Sequence, residues 1–256
     1  NFIFLSKEKF DITNLDQIYN FSNSTKPDII INTAAYTDTT KSENNKSLAY
    51  NINVVGVKNL IEICKQFNSK IIHISTDYVF DGKRQKPYTE TDFENPVNYY
   101  GKTKALAEQI IQDTCSDYYI FRVQWLYGHH GHHFVKTIQR LAQERDVLQV
   151  VDDQWGTLSS TSSLAQMVTT LIQQHVPYGV YHLRDDGFCT WYEFARCIVD
   201  TLSLSCNVQP ITTADFPLPA CRPVNGRLDC SKVLALDVVT LLPWEERLGQ
   251  FFKESV

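Results

Sequence analysis

Three short apolar runs constrain this chain more than anything else in it. Asp28–Asn32 (DIIIN), Lys70–Ser75 (KIIHIS) and Tyr118–Gln124 (YYIFRVQ) are brief, nearly continuous and rich in β-branched or aromatic residues. Runs of that kind read as strands buried on both faces. Between them lie segments of helical period. From Ser47 to Phe67, apolar residues fall at 48, 52, 55, 60, 63, 64 and 67, which is one helix face. A second helix is predicted from Gly101 to about Gln112, with Ala105, Leu106, Ile110 and Ile111 as core positions. Strands alternating with helices make βαβ units, hence a parallel sheet with right-handed crossovers and flanking helices. Phe2–Leu5 reads as one more buried strand ahead of these.

Beyond about residue 127 the rhythm changes. His132–Arg145 and Ser162–Gln174 read as helices, and Leu148–Val151 and Val180–Leu183 as short strands. Thr190 with Glu193 three residues on is a capping-box signature for a helix over 190–202. Residues 211–229 hold three prolines and read as loop, and a last helix follows Pro243. The expected architecture is a Rossmann-like α/β sheet domain over 1–127, with later segments returning to it. A smaller mixed α/β lobe over 128–256 would bind substrate, the ligand cleft lying between the two.

A chain of 256 residues with 43% apolar content can bury a large core. Its formal net charge of −5 argues against nucleic acid as the main partner but leaves anionic small ligands accessible through local cations. Seven cysteines with no CxxC pair suggest reduced thiols in a cytoplasmic protein. No apolar stretch approaches the roughly 20 residues that span a bilayer, and no signal peptide opens the chain, so no membrane association is expected. Four histidines within residues 129–133 (HHGHH) invite a metal reading, yet their spacing fits no standard zinc pattern; a solvated turn and no metal are expected there.

The chemistry concentrates at two places. The run Ile71–Ile74 stops at Ser75-Thr76-Asp77, which sets hydroxyls and a carboxylate at a strand tip, where ligands bind in an open parallel sheet. In "NYYGKTKALAE", 98–108, Tyr100 and Lys104 are four apart and share one face of a helix. An ammonium near a phenol favours the phenolate and brings an otherwise too weak acid toward useful range. Thr76, Tyr100 and Lys104 converging on one cleft would bind and protonate a carbonyl oxygen. Turn or cap chemistry is the competing reading of Thr76-Asp77.

"STDYVFDG", "PYTETDFENPVNYYGKTKALAE" and "FRVQWLYG" together resemble the extended short-chain dehydrogenase/reductase superfamily and, within it, the dTDP-4-dehydrorhamnose reductase family. The resemblance continues through "HHFVKTIQRLAQERDVLQVVDDQWG" and "RPVNGRLDCSK". It implies NADPH-dependent reduction of the C4 ketone of dTDP-4-dehydro-6-deoxy-L-mannose to dTDP-L-rhamnose, a nucleotide sugar, with NADH as a second cofactor option. By resemblance, Tyr100 is the general acid, Lys104 holds the nicotinamide ribose and lowers the Tyr100 pKa, and Thr76 fixes the carbonyl. Asp77 and Trp125 match substrate-contacting positions, Ala35 and Thr37 line the cofactor, and Asp11-Ile12 lies beside the adenine. The family also suggests a homodimer and a divalent cation, though no local motif establishes either.

The chain departs from the family pattern in places. The superfamily opens with a strand, a GxxGxxG turn and a helix, and this sequence starts near the second strand, as though roughly 30 residues were lacking. Thr39-Thr40 stands where the family commonly has Val-Asp, and Gly226 replaces a Ser, which suggests a slacker loop. Ser6-Lys7, at the end of the second strand, suits a 2′-phosphate better than a carboxylate would and points to NADPH. Rival readings are another nucleotide-sugar epimerase or dehydratase of the superfamily, and a catalytically silent regulatory subunit with the same fold.

Overall fold

The structure, a computed structural model, describes residues 2–254. In chain order its main strands are β1 (Ile29–Asn32), β2 (Lys70–Thr76), β3 (Tyr118–Val123), β4 (Val147–Val151), β5 (Gly179–His182) and β6 (Asn207–Ile211). The main helices are α1 (Leu15–Thr25), α2 (Gly56–Phe67), α3 (Tyr99–Thr114), α4 (Phe134–Glu144), α5 (Thr161–Gln173), α6 (Trp191–Thr201) and α7 (Trp244–Glu254). Among the described residues, β1, β2, β3 and β5 form a four-stranded sheet in that order, parallel throughout. Its register sets Asn32 beside His73 and Thr76 beside Val123.

Period-two alternation divides the sheet's side chains between two cores. Ile71 and Ile120 pack with Ile18, Leu60, Ile61 and Ile111 of the helices on one face. Ile72, Tyr119, Phe121 and Tyr181 pack with Leu164, Met167 and Leu171 of α5 on the other. A third core, built from Tyr127, Ile138, Phe194, Ile198, Leu248 and Phe251, joins α4, α6 and α7 beside the parallel β4–β6 pair. The capping box that opens α6 is present, Thr190 and Glu193 exchanging side-chain to backbone bonds of 3.2 and 2.9 Å. No helix among the described residues is long and apolar enough to cross a membrane.

Three expectations are corrected. Phe2–Leu5 is not a strand; Phe2 and Phe4 are 71% and 89% exposed. A strand persists only where its backbone groups find partners, and this run pairs with no described strand. The predicted 47–67 helix face holds in its second half, where Leu60, Ile63 and Cys64 are buried, and is out of phase in its first: Leu48 is exposed, whereas Ala49, Val54 and Val57 are buried. The cause is a π-helical turn over Asn51–Val55, whose extra residue rotates the helix face between Lys46–Tyr50 and α2. In α3 the core stripe is Thr103, Lys104, Ala107, Glu108 and Ile111, while Ala105 and Leu106 are only half-buried. An apolar-only reading misses a stripe whose central members are charged.

The Glu108 charge is matched from the sheet. The Arg122 guanidinium of β3 spans both carboxylate oxygens of Glu108, its Nη2 lying 2.7 Å from one of them, and also reaches Glu94. Ser75 of β2 donates to the same Glu108 carboxylate. Arg122 and Glu108 are almost fully buried, so removing one partner strands the other in a low-dielectric interior. Arg122→Met is expected to lower unfolding free energy by about 3–5 kcal/mol in urea titrations. A change below about 1 kcal/mol, the scale of an exposed ion pair, would show that the network does not hold α3 on the sheet.

Candidate active site

Because the sheet is parallel, the C-terminal ends of its strands open on one side. The chain leaves β1 through residues 33–38, β2 through Thr76-Asp77 and β3 through Gln124-Trp125. Ala35, Thr37, Thr76, Asp77 and Trp125 therefore share one end of the sheet. Ala35 is half-buried and Thr37 exposed. Thr39 and Thr40 form the first turn of a short helix, Thr39–Asn44, capped by Asp38.

Thr76 ends β2 and caps the short 3₁₀ turn Asp77–Val79, its Oγ1 accepting the Tyr78 N–H at 3.2 Å. The turn reading of this dipeptide thus holds, and it coexists with a position in the site. The same hydroxyl donates to Asp77 Oδ1 at 3.1 Å and lies close enough to Tyr100 to influence its phenol. Tyr100 reaches Thr76 because α3 begins hard against the 3₁₀ turn. Asn98 caps α3 by accepting Gly101 N–H at 2.8 Å, and its amide donates to the Cys221 carbonyl at 2.8 Å. A Cβ on Gly101 would overlap the Tyr78 carbonyl oxygen, so only glycine allows this approach.

Lys104 lies one turn further along α3 and is buried. Its Nζ is 2.9 Å from His73 Nε2 and donates to the Ile74 carbonyl at 2.6 Å. The expected lowering of the Tyr100 pKa by Lys104 is not what the structure shows. Burial is the largest influence on the phenol and pushes its pKa up, the Asp77 charge adds to this, and the Thr76 hydrogen bond opposes it. Burial likewise lowers Lys104 to about 8, against the favourable Glu108 charge.

Asp11 and Ile12 sit apart from this constellation. The Asp11 carboxylate accepts the Thr13 N–H and hydroxyl at 2.9 and 2.7 Å, bonds that hold its pKa below the usual range. Ile12 is buried against Gly56 at the start of α2. Trp125 adopts the left-handed region at φ 44°, rare for a bulky side chain, and stacks on Trp191 with ring centroids 3.6 Å apart. Of the HHGHH stretch, His130 and His132 are exposed, while His133 bonds the Gly128 carbonyl at 2.7 Å. Among the described residues no group of three or more His, Cys, Asp or Glu is placed to hold a metal ion.

Sequence reasoning missed several residues of the site. Asn53, in the π turn, accepts the Tyr36 N–H at 2.7 Å and donates to Tyr36 O and Thr103 Oγ1, clamping the 33–38 loop to α3. Gln124 is buried beside Trp125, and its amide nitrogen has no partner among the described residues. Its Oε1 accepts the Thr157 N–H at 3.0 Å. A π turn is a local signal of function but leaves no mark in apolar periodicity. Gly226 does not slacken its loop: its N–H bonds Trp155 O at 2.8 Å, Asn225 is tied to Arg84 O and Lys86 O, and a Cβ at Gly226 would overlap the Asp77 carboxylate.

Asp77 is thereby sealed, 3% exposed, and burial raises its pKa to about 7 despite hydrogen bonds from Thr76 and the local backbone. A raised carboxyl pKa means the folded protein binds that proton more tightly than the unfolded chain. The associated stability is complete below the ordinary carboxylate range, near 3.8, and is lost as pH rises to about 7. Asp77→Asn is expected to remove this component, raising Tm at pH 8 relative to the parent while leaving it nearly unchanged at pH 4. Parallel Tm–pH curves for the two proteins would refute the assignment.

The whole chain, residues 1–256, matches the family described as RmlD substrate binding domain. It is 38% identical over 255 residues to the dTDP-4-dehydrorhamnose reductase of Aggregatibacter actinomycetemcomitans, covering 95% of this chain and 87% of that one. It is 34% identical over 264 residues to the enzyme of the same name from Escherichia coli K12, covering 96% and 88%. Among solved structures it superposes on a dTDP-4-dehydrorhamnose reductase from Bacillus anthracis in complex with NADP. That match has a TM-score of 0.94 and 37% identity, and covers 98% of this chain and 89% of the other.

Proposed function

The chain belongs to the RmlD substrate binding domain family, and we propose that it reduces the C4 ketone of dTDP-4-dehydro-6-deoxy-L-mannose to dTDP-L-rhamnose. NADPH supplies the hydride, and the chain is an NAD(P)H-dependent oxidoreductase of nucleotide-sugar biosynthesis. The observation that carries the reading is the placement of Thr76 beside Tyr100 past the end of β2, with Lys104 one helical turn behind. The epimerase, dehydratase and silent-subunit readings are not favoured, since the relatives similar over nearly their whole length are named as reductases.

The residues present suit the cofactor. Lys104 meets His73 Nε2, donates to Ile74 O and keeps a donor for a ribose hydroxyl. The Asn53 clamp holds the backbone of the 33–38 loop, where Ala35 and Thr37 would line the cofactor. Asp11 and Ile12 are assigned to the adenine side. Ser6 and Lys7 are exposed, as a 2′-phosphate contact requires.

Thr76 orients the ketone oxygen beside Tyr100. Burial keeps the Tyr100 phenol protonated through the neutral range, so it is loaded with the proton it must give. A sugar alkoxide is a far stronger base than a phenolate, so transfer from Tyr100 to the developing oxyanion is downhill even from this weakened acid. Asp77 and Trp125, flanking the same strand ends, are assigned to the sugar nucleotide, and their burial and stacking exclude water from it.

Tyr100→Phe is expected to reduce sugar-dependent NADPH oxidation, followed at 340 nm, by at least about 100-fold without loss of fold. Activity equal to the parent would remove Tyr100 from the role of acid. Lys7→Glu is expected to lower the NADPH-over-NADH ratio of kcat/KM about tenfold, the worth of roughly 1.4 kcal/mol of phosphate contact. An unaltered ratio would place the 2′-phosphate elsewhere.

The proposal extends to the cytoplasm, supported by seven cysteines that are all free thiols. A homodimer, and a divalent cation within it, rest on the family resemblance alone; sedimentation velocity with and without a chelator tests both.

A further inference from the structure

His73 lies at the middle of β2, in what the sequence presents as an apolar run, and is 1% exposed. Each ring nitrogen meets a polar neighbour: Nδ1 is 3.1 Å from Asn32 Nδ2, and Nε2 is 2.9 Å from Lys104 Nζ. Donor counting decides how the protons are arranged. The Ala34 backbone N–H can only donate, and it lies 3.0 Å from the Asn32 side-chain oxygen. That contact identifies the oxygen of the Asn32 amide, so the group facing His73 is the NH₂. An NH₂ donates; Nδ1 must therefore be the bare nitrogen, and a neutral His73 carries its proton on Nε2.

This Nε2–H points at Lys104. An ammonium has no lone pair with which to accept it, whereas a free amine has one. The amine also keeps two hydrogens, of which one goes to the Ile74 carbonyl at 2.6 Å. Every group in the chain Ala34–Asn32–His73–Lys104 is then satisfied only when Lys104 is neutral.

We propose that His73 is a positioning residue of the reductase: locked by Asn32 as the Nε2–H tautomer, it holds the Lys104 side chain and favours its uncharged form. The inference rests on the reductase reading for its catalytic meaning and on hydrogen-bond geometry for the tautomer. His73 would thus set the pH above which Lys104 loses its charge.

The surroundings leave His73 the decisive neighbour. On α3, Glu108 favours the ammonium, but Arg122 of β3 already engages that carboxylate. Tyr100 stays a phenol, and Asp77, beyond the end of β2, is partly protonated near neutrality. From α2, Lys58, Glu62 and Lys65 face solvent, and buried Cys64 remains a thiol, pushed up to about 12. β1 contributes the uncharged Asn32. Burial lowers Lys104 to about 8, and a donor N–H beside it acts in the same sense.

Two measurements test this. Imidazole ¹⁵N shifts of the full chain labelled at histidine, assigned by loss of one signal in His73→Phe, should show the Nε2–H tautomer for His73. The Nδ1–H tautomer, or an imidazolium at pH 7, would overturn the proposal without any appeal to activity. The second is the pH profile of kcat/KM for NADPH oxidation in Asn32→Asp. Aspartate keeps an acceptor for Ala34 N–H and offers a second one to Nδ1, so the ring proton moves there and bare Nε2 accepts from an ammonium. The basic limb should move up by about one pH unit. The shift should vanish when His73→Phe is added, because an aspartate charge acting through space would survive that change. An unmoved limb, or a shift that persists in the double variant, refutes the route through His73. Failure of the parent to oxidise NADPH with the sugar would instead strike the reductase reading, and the ¹⁵N result would still decide the tautomer.

Discussion

Tyr100, Lys104 and Glu108 follow one another at intervals of four along a single stripe of α3, and the Arg122–Glu108 pair turns that stripe toward the sheet. On apolar area alone, α3 would rotate to bury Leu106 and Ile110 more fully. Each residue along a helix turns the face by about 100°, so a small change of phase would carry Tyr100 away from Thr76. A guanidinium fork spanning both oxygens of a buried carboxylate tolerates little rotation. The ion pair therefore acts as a register device for the site. Its stabilising worth against an apolar pair is a separate matter, since a buried salt bridge need not out-compete hydrophobic packing.

How much of this the sequence discloses depends on the range of the interaction. The strands of the sheet are legible because burial on both faces leaves a continuous apolar signature, and the helices because capping and periodicity are local. Thr76, Tyr100 and Lys104 are legible as chemistry because two short motifs hold them. What is not legible is contact at long separation. Lys104 meets His73 across 31 residues, and Asn53 meets Thr103 across 50. The π turn shifts a helix face by one residue without altering composition, which is why the expected face holds after Gly56 and not before it. Phe2–Leu5 has strand composition, yet composition cannot supply the neighbour a strand requires.

The late loop shows the same principle from the other side. Residues 211–229 read as loop, and irregular backbone is expected at the surface. Its last part, residues 221–229, is instead drawn inward by contacts distant in sequence: Asn98 to Cys221 O, Asn225 to Arg84 O and Lys86 O, and Asp229 N to Tyr88 O. Gly226 then rests on the Asp77 carboxylate, and no other residue could sit so close. The loop that carries Gly226 is thus the element that seals Asp77 from water. Burial of this acid arises from segments that sequence order keeps far apart.

Sealing has an electrostatic consequence that separates the two ends of the α3 stripe. Around Glu108, opposite charges are paired, and Arg122 stays charged in a dry interior. Around Tyr100 and Lys104 no such pairing exists among the described residues, and burial moves Asp77, Tyr100, His73 and Lys104 alike toward their neutral forms. Neutral groups in a low-dielectric cleft cost less to bury than ions and retain their protons as hydrogen-bond donors. A ketone becoming an alkoxide is the event that introduces charge into such a cleft, and donors already in place lower its cost without reorganising. The boundary between the paired and the neutral zone falls within one helical turn, between Lys104 and Glu108. It is set on the helix side by that turn and on the sheet side by His73 of β2 and Arg122 of β3.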